Sequence, residues 1–395
     1  MTYATLSGRT ARPALLLAGI LLIAANLRAP ITGVAPILGQ VRDAFAMGTA
    51  EAGALTTLPL LVFAVASPFC VLAARRCGLE RSLFLSLILI AGGGLLRSGG
   101  SEWMLFAGTA VIGMGIAIAN VLLPSLIKRD FPDRIASLTS AYALTAGLVA
   151  SAVSIMAVPI AELPGSSWNI ALGGYVVIPV LAMVVWLPQM GQHSAPEAAA
   201  VSASTGGKIW RSALAWQVTL FFGLNSLVYY VIVTWMPQIL IEAGYTPAAA
   251  GSIHGVSQLA TAVPGLLIGP LIARLKDQRT IAFGVVAITA IALAGLMLAP
   301  GWATVWAAMF GFGCGATFIL ALAFISMRVS TVEQAAALSA MAQSVGYLIA
   351  AGAPPLIGFL HDRTGGWTVP LAACLAVAGV TALLGLGAGR ARQIG

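Results

Sequence analysis

Arg28 is the residue whose type and position ask most directly for chemistry. It stands inside the apolar run PALLLAGILLIAANLRAPITGVAPILG at 13–39. That is about 15 residues, or roughly 22 Å of helix, from where the run begins. A guanidinium at such depth costs about 2.5 to 3.5 kcal/mol on insertion scales. No acidic residue lies within an apolar run to offset it, because all 12 Asp and Glu fall in loops, in the polar stretch 189–208 or at run ends. Arg28 is therefore expected to be the one charge in a membrane interior. Its planar fork suits a carboxylate or similar two-oxygen group, held by parallel hydrogen bonds. It does not give up its proton, so it cannot be a proton carrier. The competing reading is a structural arginine bonded to backbone carbonyls or to Glu102.

Helical spacing selects companions for it. Thr32 lies four residues beyond Arg28, on the same face of a continuous helix, while Asn26 points nearly opposite. Asn225 and Tyr229 share a face, and Ser226 and Tyr230 form a second stripe beside it. His254 and Gln258 are four apart, as are Gln343 and Tyr347; Tyr142 neighbours Thr145, and Asn120 precedes Pro124. Together these describe a cavity for a small, flat, polar molecule. Each amide or phenol also reads as an interhelical hydrogen bond, worth about 0.6 kcal/mol in lipid. His254 is the one histidine placed within an apolar run, and it titrates near neutral pH when unperturbed. It is read as a coupling-proton carrier or substrate contact, or else as a packing histidine. With no buried carboxylate, proton coupling would have to use His254, Glu102 or the substrate itself. Nucleophilic catalysis would need His254 with Ser252 or Ser257, and neither pair has a carboxylate to orient it. No cluster has metal-ligand spacing. The chain is expected to be no enzyme and to hold no cofactor or metal, and its four cysteines suggest no disulfide.

The elements that must position these residues follow from composition. Of 395 residues, 59% are hydrophobic and only 8% charged, too few to cover a soluble surface. Apolar runs of about 20 to 28 residues are long enough to cross hydrocarbon as helices. Twelve spans are expected, near 13–40, 50–74, 81–98, 102–127, 134–160 and 167–187, then 214–241, 246–273, 279–299, 302–326, 332–359 and 368–389. The polar stretch QMGQHSAPEAAAVSASTGGK at 189–208 reads as a flexible linker. It sets the expected division into 1–188, a linker over 189–212, and 213–395. Loops on the side of the termini hold every basic residue but Arg28, Arg42, Arg97 and Arg363. By the positive-inside rule both termini are expected to be cytoplasmic. GMGIAIANVLLPSLIKR at 113–129 and GCGATFILALAFISMR at 313–328 share a Gly-x-Gly opening and a basic exit, which suggests an internal repeat. The expected fold is an all-α polytopic membrane protein of twelve transmembrane helices in two pseudo-symmetric six-helix bundles. Such a pair rocks around a midplane site as a transporter.

The segments NLRAPITGVAPIL at 26–38, LTTLPLLVFAVASP at 55–68, NVLLPSLIKRDFP at 120–132, WQVTLFFGLNSLVYYVIVTWMP at 216–237 and AALSAMAQSVGYLIAAGAPPLIG at 336–358 carry a resemblance. They resemble the cyanate/2-nitroimidazole transporter family of the major facilitator superfamily, on its nitroimidazole-transporting branch. The resemblance implies that spans one, four, seven and ten line the cavity with two, five, eight and eleven. It implies a bacterial cytoplasmic (inner) membrane carrier, expected to be a monomer. Its partners would be a polar or anionic small solute, the bilayer and, where coupled, protons, with no nucleic acid. Cyanate-like anions and nitroimidazole-like heterocycles are the implied substrate types; a proton-coupled multidrug exporter is the alternative. One departure concerns the loop AARRCGLERS after span two. The superfamily's usual aspartate is missing there and only Glu80 is acidic, so the charge relay at that end is expected to be rewired or weaker.

Overall fold

The computed structural model describes residues 13–191, 209–275 and 277–394, which are helical with no strand. Eleven helical stretches among the described residues are long and apolar enough to cross a membrane. The expected span eight is present in two shorter pieces, Pro247–Ala260 and Pro264–Arg274. Most of the expected linker, 192–208, lies outside the described residues. The remaining spans are two (Thr49–Cys77), three (Leu79–Arg97), four (Glu102–Asp130), five (Ile135–Ala161), seven (Ala213–Glu242), nine (Arg279–Leu298), ten (Ala303–Met327) and twelve (Thr368–Ala388), with one, six and eleven interrupted.

The interruptions follow the prolines. A proline supplies no N–H and crowds the carbonyl four residues earlier, so a helix bends or breaks there. Span one breaks at Asn26–Arg28, makes the short helix Ala29–Thr32 around Pro30, and resumes as Leu38–Phe45 after Pro36. Span eight breaks just before Pro264, and span eleven changes course at Gly352, ahead of Pro354 and Pro355. Span six is divided at Tyr175–Val176.

The repeated Gly-x-Gly has the same use in both bundles. A Cβ on Gly113 would meet Pro59 of span two, and one on Gly115 the Ser86 carbonyl of span three; Gly313 meets Thr289 of span nine, and Gly315 the Thr261 carbonyl of span eight. Spans four and ten thus touch their neighbours backbone to backbone, as small-residue interfaces allow in lipid.

The end that carries Arg129 and Arg328 is here called the basic end, and the end that carries Glu242 and Asp362 the far end. At the basic end Glu80 is buried and receives Arg129 at 2.7 Å, while Arg129 also binds Asp130 at 2.6 Å. Of the two expected alternatives, a rewired or a weaker relay, this is the rewired one: the glutamate supplies the missing carboxylate from the first turn of span three. The second bundle holds the corresponding place without a carboxylate. Arg328 donates to the Ala388 carbonyl (2.8 Å) and to Gln278 Oε1, and its guanidinium lies 4.9 Å from the centre of the Phe324 ring.

The far end is closed between the bundles. Thr49 of span two donates to Asp362 of span eleven, and Thr234 of span seven bonds Thr56 of span two at 3.0 Å. A Cβ on Gly53 would lie 2.6 Å from the backbone of Pro355. One apolar core runs across this contact, joining Trp235 and its neighbours to Val34, Leu55 and Val158 of the first bundle. Among the hydrogen bonds of the described residues, none joins the bundles nearer the basic end than Arg28 to Thr261. Asn120, Pro124, Ser125 and Lys128 are exposed on one face of span four. A stripe of that polarity is costly against lipid, which marks a parting of the bundles at the basic end.

Because Glu80 is desolvated beside Arg129, its loss leaves a poorly solvated guanidinium. Glu80→Ala is expected to lower the melting temperature of detergent-purified protein by several degrees, with Glu80→Asp recovering part of it. An unchanged melting temperature in Glu80→Ala would show that the pair does not hold the basic end together.

Candidate functional site

The break in span one is fastened from one side. Asn26 is buried, donates to the Leu22 carbonyl at 2.7 Å, and accepts the Tyr175 hydroxyl of span six. Arg97, expected in an outer loop, is instead 2% exposed at the end of span three and donates to the Pro30 carbonyl at 2.6 Å. This corrects the expectation that Arg28 is the one interior charge. A break in a helix frees carbonyls that lipid cannot satisfy, and a long cation from the neighbouring span reaches one of them.

Arg28 heads the short helix Ala29–Thr32 and turns to the second bundle, donating from Nη1 to the Thr261 hydroxyl. Thr261 is the first residue of the break in span eight, and its hydroxyl in turn donates to the Gln258 carbonyl at 2.7 Å. Two broken helices, one from each bundle, therefore meet at this pair. The guanidinium carbon lies 5.7 Å from the centre of the Tyr229 ring, close enough for a cation–π attraction of about 0.5 to 2 kcal/mol. Tyr142, Tyr230 and Tyr347 also stand within electrostatic reach of Arg28. Tyr229 and Tyr230 meet edge to face at 5.1 Å, and Tyr347 packs likewise on Phe222 (5.5 Å) and Phe63 (6.4 Å). Arg28 and all four tyrosines are partly accessible.

Hydrogen bonds continue inward from Tyr229. Its hydroxyl donates to Gln258 Oε1 at 3.0 Å, and Gln258 Nε2 lies 3.2 Å from His254 Nε2. His254 and Gln258 are fully buried. The His254 ring lies near the Val233 backbone, and its Nδ1 has no hydrogen-bond partner among the described residues.

Five expected site residues thus gather around Arg28 or join its network: Tyr142, Tyr229, Tyr347, Gln258 and His254. Others go elsewhere. Thr32 is buried and its hydroxyl bonds back to the Arg28 carbonyl at 3.2 Å, because the helix that was to place it on the Arg28 face is broken. Asn225 is buried and donates to the Cys314 carbonyl of span ten at 3.2 Å, an interhelical bond. Gln343 is exposed and donates to Ser339 at 2.9 Å, and Asn120 lies on the exposed stripe of span four. Glu102 is exposed in the first turn of span four. Helical spacing did not select Thr261, Arg97, Phe63 or Phe222. Thr261 carried a signal, three residues after Gln258 and three before Pro264; Arg97 carried none beyond its place at a run end.

Among the described residues no carboxylate forms an ion pair with Arg28, and its hydrogen bond to Thr261 uses only Nη1. No group of His, Cys, Asp and Glu among them is arranged to hold a metal ion. The arrangement is a free guanidinium fork between aromatic walls, at the meeting of two bundles closed at one end and parted at the other. That is the architecture of an alternating-access membrane transporter. The chain belongs to the Major Facilitator Superfamily, whose sequence model matches residues 16–351. It is 54% identical over 380 residues to the 2-nitroimidazole transporter of Escherichia coli (strain K12), covering 96% of each chain. It is 28% identical over 353 residues to the cyanate transport protein CynX of the same organism, covering 88% of this chain and 90% of that protein. The fold is shared with the crystallised nucleoside transporter NupG (D323A mutant), with a TM-score of 0.77 at 13% identity over 94% of this chain and 99% of that one.

A side chain on Gly315 would strike the backbone of Thr261, whereas Gly284 faces open space. Gly315→Val is expected to displace the break in span eight and lower the melting temperature by several degrees, with Gly284→Ala close to wild type. Equal stability of the two variants would contradict the backbone contact that positions Thr261.

Proposed function

We propose that this chain carries a small planar solute bearing a nitro or carboxylate group across the bacterial cytoplasmic membrane, with Arg28 as its anchor. The observation that carries this reading is the free fork of Arg28, poised among tyrosines where the broken spans one and eight meet. A nitro group and a carboxylate both present two oxygens in one plane, the geometry a guanidinium binds in bidentate fashion. The flanking tyrosine rings favour a flat body behind those oxygens. A 2-nitroimidazole, the solute named for the 54% identical relative, has both features. Cyanate, named for the more distant one, has the charge without the ring.

The carrier works as a single chain with its termini and basic loops in the cytoplasm. In the arrangement described here the cytoplasmic side is parted and the outer side shut. A solute entering from the parted side reaches Arg28 and takes the place of the Thr261 hydroxyl. It then bridges Arg28 and Tyr229, one residue from each bundle, and so carries the contact through which the bundles rock. Opening the outer side requires the Thr49–Asp362 and Thr56–Thr234 bonds to part. These are few and need no ion pair to be pulled from water-free surroundings, which suits a transition between states of similar energy.

The test is ligand-induced stabilisation of purified protein by 2-nitroimidazole and by benzoate, with dissociation constants taken from the concentration dependence. A charge-assisted hydrogen bond contributes roughly 1.5 to 3 kcal/mol, so Arg28→Ala is expected to weaken binding by about 10- to 100-fold. Arg28→Lys keeps the charge but not the fork and should recover little. Wild-type affinity in Arg28→Ala would sink the anchor role.

A further inference from the structure

Gln258 hydrogen-bonds both Tyr229 of the site and the buried histidine, and its amide has two ends of opposite character. As it stands, the carbonyl end accepts from Tyr229 and the amino end faces His254 Nε2. Each end of that amide has a fixed sense. The amino end of Gln258 can only donate, so neutral His254 accepts at Nε2 and carries its proton on Nδ1. Neutral His254 then offers a lone pair at Nε2, and only the amino end of Gln258 satisfies it. The carbonyl end is left for Tyr229, whose O–H is therefore committed to Gln258 and presents only lone pairs to the space around Arg28.

One proton added from water at His254 Nε2 reverses this order, with no other covalent bond made or broken. Nε2–H now needs an acceptor, and the acceptor within reach is the carbonyl end of Gln258 after a half-turn of its amide. The amino end swings to Tyr229 and donates to the phenol oxygen. Tyr229 then directs its O–H away from Gln258. Arg28 and the Tyr229 hydroxyl both engage the same turn of span eight, at Thr261 and Gln258. A nitro or carboxylate oxygen held by Arg28 in place of Thr261 is therefore beside that phenol.

We infer that Gln258 is an amide switch that couples protonation of buried His254 to solute binding at Arg28, by turning Tyr229 from hydrogen-bond acceptor to donor toward the solute. The inference rests on the anchor role of Arg28 proposed above. Gln258 is in this scheme a positioning residue acting through Tyr229. The coupling is reciprocal: the proton tightens solute binding, and bound solute raises the affinity of His254 for the proton by the same factor. The surroundings hold no competing charge. Span seven offers Tyr229 and Tyr230, with Glu242 two turns beyond Val233 at its exposed end. Span five offers Tyr142, which faces the Arg28 side, and Glu162 lies just past its far end. The titratable group on span ten, Cys314, is turned to Thr289 of span nine. The segment of span one that packs here, Ala35–Ile37, has none, and Arg28 itself reaches the histidine only through Tyr229 and Gln258.

Two measurements on the full-length purified chain test the switch. The first is the dissociation constant of 1-methyl-2-nitroimidazole, whose ring has no proton to lose, at pH 5.5 and pH 8. In the wild type the affinity is expected to be higher at the lower pH, by no more than the coupling factor of about tenfold. In Gln258→Leu, and independently in Tyr229→Phe, the ratio of the two constants should fall to one. A pH-independent wild type, or a Gln258→Leu variant with the wild-type ratio, would overturn the proposal. The second needs no solute: nitrogen NMR of histidine-labelled protein, with the His254 signals assigned by their loss in His254→Gln. The neutral ring is expected to carry its proton on Nδ1, and a neutral ring with the proton on Nε2 would overturn the switch. A probe that fails to bind the wild type, or binds Arg28→Ala equally well, counts against the anchor role instead, and the tautomer then decides the switch alone.

Discussion

A guanidinium without a carboxylate partner, held where two bundles meet inside a membrane, is the constraint on which the rest of this structure depends. Arg28 cannot shed its proton and cannot be left bare in hydrocarbon. The protein satisfies it with a hydroxyl from the opposite bundle and with aromatic faces, and no carboxylate among the described residues pairs with it. Thr261 is a weak, neutral partner compared with Asp or Glu, which is what the proposed exchange for a solute's planar oxygens requires. A carboxylate at that place would occupy the fork permanently. The prolines that break spans one and eight serve the same end, since they bring Arg28 and Thr261 to the contact as the ends of helical pieces.

The strength of contacts is graded across the molecule. Within the first bundle, Arg97 is buried against a carbonyl and Glu80 is buried against Arg129. Within the second, Arg328 is held by two carbonyls and Gln278. These are charge-assisted bonds in water-poor surroundings, and they fix each bundle as a unit. Between the bundles the contacts are hydroxyl bonds, glycine and proline backbone surfaces, and apolar packing. Rigid units joined by replaceable contacts are what rocking motion requires. The one charged link across the far end, Thr49 to Asp362, involves a single ionisable side chain and not a pair.

Much of this was legible in the sequence. The apolar runs gave the spans, the spacing of 200 residues gave the repeat, and the arginine in NLRAP marked the charge that stands where the two bundles meet. Tyr229, Gln258 and His254 follow from a spacing of four and from a spacing that holds only while a helix is unbroken. That condition failed at span one. Thr32 was expected beside Arg28, and the break turned its hydroxyl back onto the Arg28 carbonyl. Asn225 shares a face with Tyr229, yet it lies one turn nearer span ten and is consumed by the Cys314 carbonyl. Arg97 was illegible for a different reason: a run end marks either a loop or a long side chain folded back inward, and only the carbonyl freed by Pro30 decides between them. Glu80 was visible as a charge, but its partner 49 residues away depends on how spans three and four pair.

The most direct test is an experimental structure of the purified transporter with 1-methyl-2-nitroimidazole bound. Both nitro oxygens are expected within hydrogen-bond distance of the Arg28 guanidinium, with the Thr261 hydroxyl displaced and the ring lying against Tyr229. A ligand bound elsewhere, with Arg28 still on Thr261, would contradict the account.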